Sequence, residues 1–283
     1  MTNLLIFGRS TGILAATLLG LAWASLPAQA KQEPLLEVGL GAGSIAFEDY
    51  RGSNTAHAYP LPIPYLLYNG KFLKADRNGV RGTLFNQDWI ELNLSGNATT
   101  PVHKDRERSG MPDLKPTLEL GPSVDFHLLH RADSRIKFDF RLPLRAAVTV
   151  GASPKFIGWT FSPSLALDWV DPAGWVGWNA GILAGPMFAD RRYHDYFYSV
   201  APAFATASRP AYQASAGYAG AQSIFALSKR FPRYWVGAYA RADTLSGAAF
   251  LDSPLVHRNS YWSAGIGIAW IFHRSAQMVE IPD

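Results

Sequence analysis

The run from residue 135 to residue 150 limits the possible folds more than any other stretch. Ile136, Phe138, Phe140, Leu142, Leu144, Ala146, Val148 and Val150 alternate with Lys137, Asp139, Arg141, Arg145 and Thr149. An extended chain sends successive side chains to opposite faces. A period of two sustained this long therefore builds one wholly apolar face and one face with four charges. The run is about three times the length of a typical globular strand. Something continuous and dry must cover the first face, and something wet the second. Lipid outside a barrel and the lumen inside it meet both demands.

Composition points the same way. Aromatic residues make up 13% of the chain and charged residues only 17%, yet mean hydropathy is −0.01. Residues 172–189 and 211–228 are uncharged, but glycine, proline, alanine and polar residues break them as spanning helices. Weak overall hydrophobicity with strong local alternation is the pattern of a transmembrane β-barrel. The chain has no cysteine, which excludes disulfides, thiolate metal sites and a cysteine nucleophile. A formal net charge of +4 is too small to argue for nucleic acid as a partner.

Residues 1–30 read as a cleaved export signal rather than as fold. Arg9 supplies the positive region, residues 11–23 the short apolar stretch, and Ala28-Gln29-Ala30 the small-residue cleavage site. Lys31 is then the first mature residue. No cysteine follows the site, so a lipoprotein is not expected.

From there, strand patterns and turn signals alternate to the end. Gly39, Gly41 and Gly43 stand opposite Leu36, Val38, Leu40 and Ala42 in the first strand. Pro60, Pro62 and Pro64 follow on one face of the next extended segment. Each lacks a ladder donor, so that segment is expected at a barrel rim or inside the barrel. Asn69-Gly70 and residues 76–79 are hairpin turns. Trp159, Phe161, Leu165, Leu167 and Trp169 form an apolar face with a tryptophan at each end, as aromatic girdles require. Gly267, Trp270 and Phe272 in the final strand look like an outer-membrane insertion signal, followed by a short tail. The expectation is an all-β, antiparallel, up-and-down transmembrane barrel of about twelve strands. It forms one domain over residues 31–283, in the outer membrane of a Gram-negative envelope. A secreted β-sandwich also alternates, but strand number, strand length and the placement of tryptophan argue against it. Loops 96–113 and 243–260 should share the outer side, which needs six strands between them.

Two stretches are too particular to be generic barrel. One is Asp190-Arg191-Arg192-Tyr193-His194-Asp195-Tyr196-Phe197-Tyr198-Ser199-Val200. The other spans residues 235–256 and includes Asp243, Ser246, Gly247, Asp252, Ser253 and Pro254. With Tyr59-Pro60-Leu61-Pro62, they resemble the family of the MltA-interacting protein and OmpV. The resemblance covers essentially the whole chain after residue 30. It implies an outer-membrane barrel, and it implies a scaffold between a lytic transglycosylase and a bifunctional murein synthase. Lipid and lipopolysaccharide of the outer membrane are the further partners expected.

Asp190, Arg191, Arg192, Tyr193, His194, Asp195, Tyr196 and Tyr198 form a mixed charged and aromatic cluster. In a barrel such a cluster either holds an inward loop in place or offers a docking site. Lys137, Asp139, Arg141 and Arg145 should point into the lumen, there to pair or to favour anions in a pore. Asp243 reads as an Asx-type turn in a structured loop with Asp252 and Ser253. His194, Asp195 and Ser199 are the one local hydrolase candidate, and no nucleophile elbow surrounds any serine. His127 and His130 fall on opposite faces of a strand and are poor co-ligands. No catalytic, cofactor or metal residue is expected. A scaffold is the leading reading, a narrow uptake pore the second, and an ester hydrolase the third.

Overall fold

The computed structural model describes residues 31–70, 73–76, 79–102, 105–130 and 135–281. The expected export signal lies outside the described residues. The elements run β1 (Lys31–Pro34), β2 (Leu36–Glu48), β3 (Ala56–Asn69), β4 (Leu73–Asp76), β5 (Gly79–Gln87), β6 (Ile90–Thr99), β7 (Thr117–His130) and β8 (Ile136–Thr149). They continue with β9 (Phe156–Phe161), β10 (Ser164–Val170), β11 (Trp178–Ala189), the helix α1 (Arg191–Tyr198), β12 (Gly217–Arg230), β13 (Tyr234–Thr244), β14 (Ser260–Arg274) and β15 (Met278–Ile281).

Each wall strand pairs antiparallel with its neighbour in sequence, and β14 returns to pair with β2 from Ser263↔Phe47 to Arg274↔Glu37. This return closes the ladder and pairs the edges that the first and last wall strands would otherwise expose. Both β9 and β10 pair with β8 and with β11, so they act as one wall strand. The break falls at residues 162 and 163, where Pro163 has no amide hydrogen to give the ladder. The wall is thus a twelve-stranded barrel, as the alternation implied. Loops 49–55, 100–116, 150–155, 190–216 and 245–259 gather at one end, the loop end. The opposite turn end carries the tight turns. Between loops 100–116 and 245–259 run six wall strands, so both loops do lie on one side.

Side chains sort as the period of two requires. On β8, Asp139, Ala147 and Thr149 are buried inside, while Leu144 on the other face is exposed. On β14, Ser263, Ala269 and Ile271 are buried, while Trp262, Ile266, Ile268, Trp270 and Phe272 stand exposed on the outer face. Trp159 and Trp262 sit outward toward the loop end, and Trp89 and Trp270 outward toward the turn end. That is the pair of girdles expected at two membrane interfaces.

Two expectations need correction. The proline segment is neither rim nor lumen insert: β3 is a wall strand, paired with β2 from Leu36↔Tyr68 to Glu48↔Ala56. The Asn69 amide donates to the Leu35 carbonyl at 2.9 Å, so odd-numbered residues of β3 turn their main-chain groups toward β2. Pro60, Pro62 and Pro64 therefore face the other edge. There, among the described residues, β4 pairs with Tyr68 and Asn69 alone, and no donor is asked of the prolines. Nor does the C-terminal tail hang free, since β15 pairs with β1 in a two-stranded ribbon at the turn end.

The lumen at the turn end is organised by one carboxylate. Glu37 is fully buried and accepts from Arg230 Nε at 2.7 Å, Arg230 Nη2 at 2.5 Å, Arg274 Nε at 2.8 Å and Tyr65 Oη at 3.2 Å. It stitches β2, β3, β12 and β14 together across the closing seam. Arg–carboxylate forks of this kind fix both distance and direction.

Candidate functional site

The segment after β11 is a helix, and it lies across the barrel mouth. Asp190 caps it, accepting from the Tyr193 amide at 2.8 Å through Oδ1. A short side-chain acceptor at this position satisfies one of the orphan amides of the first turn. The sequence is amphipathic at helical spacing. Arg191 and Arg192 are exposed, while His194, Phe197 and Tyr198 are buried. Arg192 spends its charge over the Phe156 ring at 5.3 Å, and Arg191 faces Asp195 at 3.8 Å.

Each inward residue of α1 ties it to a different part of the barrel. Tyr193 donates to Glu119 Oε1 at 2.9 Å, and Thr160 holds the other oxygen of the same carboxylate at 3.1 Å. Tyr196 Oη accepts from the Lys115 amide at 2.8 Å and donates to the Lys115 carbonyl. Arg108 donates to the Phe197 carbonyl at 2.9 Å, and Tyr198 Oη to the Arg51 carbonyl at 3.1 Å. Ser253 donates to the Tyr198 carbonyl at 2.6 Å. Loops 49–55, 100–116 and 245–259 are all fastened to this one helix. Around it, Tyr50, Val102, Leu114, Phe197, Leu245 and Phe250 form the hydrophobic core of the loop end. Tyr198 and Phe250 stack at 3.6 Å with an interplanar angle of 5°.

The second singled-out stretch completes this plug. Asp243, its carboxylate fully buried, joins Arg51 Nε and Arg241 Nη2, each at 2.7 Å. It is therefore an ion-pair hub and not the Asx-type turn expected from sequence. Thr244 makes the turn instead, accepting from the Ser246 amide. Gly247 sits at φ +77°, where residues with a Cβ are strained. Ser253 is buried, Asp252 exposed and Pro254 half-buried.

The charged face of β8 points inward and is paired. Arg141 meets Asp139 at 3.1 Å, Asp168 at 3.4 Å and Asp125 at 3.8 Å. His127 meets Asp139 at 2.9 Å, and Asn93 donates to Asp125. Arg145 donates twice to Ser95 Oγ, at 3.0 and 2.7 Å. Lys137 stands opposite Asp168 and His130 in register. With three aspartates around Arg141, this face does not present the basic surface that an anion pore would need. The helix reaches the lumen wall at Glu119, opposite Ala147, on the loop-end side of Arg145.

The hydrolase candidates are not wired as a relay. Ser199 Oγ donates directly to Asp195 Oδ1 at 2.6 Å and accepts from the Ala214 amide at 2.8 Å. His194 Nδ1 bonds the Ser215 carbonyl at 2.6 Å. A nucleophile needs its base within hydrogen-bond reach, and here Ser199 bonds the Asp195 carboxylate and not the imidazole. Among the described residues, no group of three or more His, Asp or Glu side chains could hold a metal ion. Glu37 and Glu119 were missed in the sequence. Glu37 shares the parity of Gly39, Gly41 and Gly43, and a lone acid on a glycine face was the available signal.

Two consequences concern the plug. Gly158 in β9 has φ +132°, and a Cβ there would fall on the Asp190 carboxylate and the Tyr193 amide. Gly158→Val is expected to displace the start of α1 at a cost of about 1–3 kcal/mol from overpacking. Protease cleavage within residues 190–216 should rise while the barrel keeps its heat-modifiable gel shift. The second concerns pH. Burial holds the His194 imidazole below its ordinary 6.5, against the opposing hydrogen bond to Ser215. The unfolded loop binds a proton that the folded plug refuses. The His194 contribution is thus intact above pH 6.5 and is lost as pH falls below it. Asp49, pushed upward by burial, acts with the opposite sign. The measurement is therefore a difference: on acidification, the change in protease protection of 190–216 should be less favourable in the parent chain than in His194→Gln.

The family model described as MltA-interacting protein MipA matches residues 40–272. No curated protein matches the sequence. Among solved structures, the chain is similar to the outer membrane protein OprG from Pseudomonas aeruginosa, at 7% identity and a TM-score of 0.23, over 85% of this chain and 98% of that one. It is also similar to a mutant of the Rh. blastica porin, at 10% identity and a TM-score of 0.15, over 86% of this chain and all of that one. At those scores the likenesses carry no argument. The closed ladder, its apolar outer face and the family match identify an outer-membrane β-barrel.

Proposed function

We propose that this chain, which belongs to the MltA-interacting protein MipA family, is a plugged outer-membrane binding barrel that serves as an envelope scaffold and not as an open channel or an enzyme. The observation that carries this reading is α1, whose side chains fasten three loops into a packed core across the mouth. The family description supports a lytic transglycosylase of the MltA type as partner, and a bifunctional murein synthase as the second rests on the sequence resemblance alone. Short turns of such barrels face the periplasm. Murein lies on that side, so the partner surface belongs to the turn end, where β1 and β15 form their ribbon. Export through a cleaved signal and an outer face set against lipid and lipopolysaccharide belong to the same reading, as does a single domain over residues 31–283.

The test combines capture and conductance. Purified barrel, immobilised by an added tag in a loop-end loop, should retain a purified MltA-type transglycosylase, and deletion of residues 278–281 should weaken that retention. Planar bilayers holding the same protein should stay electrically silent. Discrete steps of current together with no retention would reverse the assignment in favour of a pore.

A further inference from the structure

Among the described residues, the barrel wall is incomplete on one side. Over Ala56–Asn69, the second edge of β3 is paired, among the described residues, at Tyr68 and Asn69 alone. On the far side of the β4–β5 hairpin, β5 leaves β6 at Leu94, while β6 continues along β7 to Thr99. The hairpin thus fills the turn-end half of the wall between β3 and β6. Among the described residues, no strand fills the loop-end half. A free sheet edge is costly in lipid, where no water satisfies its amides and carbonyls. This edge is suited to remaining unpaired, because Pro60, Pro62 and Pro64 remove three donors from the side that faces the gap.

Behind that edge lies an apolar chamber. Leu61 stands opposite Gly43 on the lumen face, yet 44% of it is exposed. A cavity of about 340 Å³ begins there, lined by Leu61, Ile63, Gly181, Trp235, Tyr239 and Gly267. Glycine at 43 and 267 leaves the space that the Ile63 side chain occupies, which brings β3 close to β14. Asp168 also lines the cavity and is held by Arg141. An acid at the wall disfavours anionic occupants. Along the barrel axis, the α1 core obstructs the loop end and the Glu37 cluster the turn end. Leu61 and Ile63, on the strand that borders the gap, line the cavity.

We propose that the gap between β3 and β6 is a lateral portal through which small, neutral, apolar molecules pass between the membrane and this cavity. Dry cavities of about 150 Å³ hold benzene, so this one suits roughly fifteen non-hydrogen atoms. The portal does not depend on the murein-enzyme reading. A scaffold with a sealed wall and a portal without any enzyme partner are both physically coherent.

The absence of cysteine makes a clean test possible. Leu61→Cys in proteoliposomes is treated with a lipid-soluble pyrenyl maleimide, or with a methanethiosulfonate carrying a quaternary ammonium. The portal predicts labelling by the maleimide at least about tenfold faster, as expected for a reagent concentrated in lipid by its apolar surface. Equal or faster labelling by the charged reagent would mean aqueous axial access and overturn the portal. Labelling by neither would mean a sealed wall and do the same. The cavity is tested separately with phenylnaphthylamine fluorescence. A Cβ at Gly181 meets its nearest neighbour, Asp168, at an ordinary 3.6 Å, so Gly181→Phe can fill the chamber without a backbone clash. Saturable binding should be lost in Gly181→Phe while its heat-modifiable shift persists. Unchanged binding in that folded variant would remove the cavity from the proposal.

Discussion

Replacing Glu37 with alanine is expected to destabilise the barrel by about 3 kcal/mol, the lower end of the cost of breaking a buried ion pair. The carboxylate is fully buried and receives Arg230, Arg274 and Tyr65 at once. Its removal leaves the Arg230 guanidinium beside the lumen wall without its anion, and the phenol without its acceptor. Desolvation already spent on Arg230 is then uncompensated. Arg230 keeps 28% of its side chain exposed and Arg274 51%, so water recovers part of the loss, which is why the lower figure applies. Glu37→Gln separates charge from shape. An amide fills the same space and can accept one donor, but it cannot balance two guanidiniums, so its midpoint should fall between parent and alanine variant. The readout is the temperature of the heat-modifiable gel shift in detergent. Coincident midpoints for all three proteins would show that the seam between β2 and β14 is held by the ladder alone.

The contrast between Glu37 and β8 shows what the sequence can tell. In the run 135–150 that holds β8, one face is wholly apolar and the other carries the charges, so periodicity alone reveals strand, face and environment. The same logic reads Trp262 to Phe272 as outward and Thr160, Ser162 and Ser164 as inward, and the structure agrees. Glu37 is a single charge among glycines. Its meaning comes from Arg230 and Arg274, nearly two hundred and more residues away, whose arrival depends on barrel closure. The prolines of β3 are a subtler case. Reading each as a missing donor was right, but strand position was inferred from that loss without knowing which edge the donors would face. Their shared parity put every missing donor on the edge that the hairpin leaves unpaired. At α1, the residues were singled out by composition, and the helix itself was not seen. Eight residues with a cap at Asp190 form a helix here because the loop core buries Phe197 and Tyr198, a tertiary cause that local pattern does not carry.

Phe250→Ala addresses that tertiary cause directly and should turn a silent barrel into a conducting one. Phe250 is fully buried, stacks on Tyr198 and meets the His194 ring edge-on at 4.8 Å. Truncating a buried phenylalanine costs about 3–5 kcal/mol through lost burial and the cavity left behind. The wall is a separate hydrogen-bonded unit, and Phe250 contributes nothing to its ladder. The loss should therefore fall on the plug. α1 would be held by polar ties at Glu119, Lys115 and Arg51 after its central stack is gone. Three measurements follow from this division. The heat-modifiable midpoint should stay near that of the parent, protease cleavage within residues 190–216 should rise, and planar bilayers should show intermittent steps of current. Phe250→Leu, which refills much of the volume, should recover most of the protection. A variant that gains conductance without losing protection would place the barrier deeper, at Arg141 or Glu37. One that loses protection yet stays silent would mean that the turn-end cluster closes the lumen without help from the mouth. The third pattern, loss of both, makes the packed helix the element that separates this barrel from a pore.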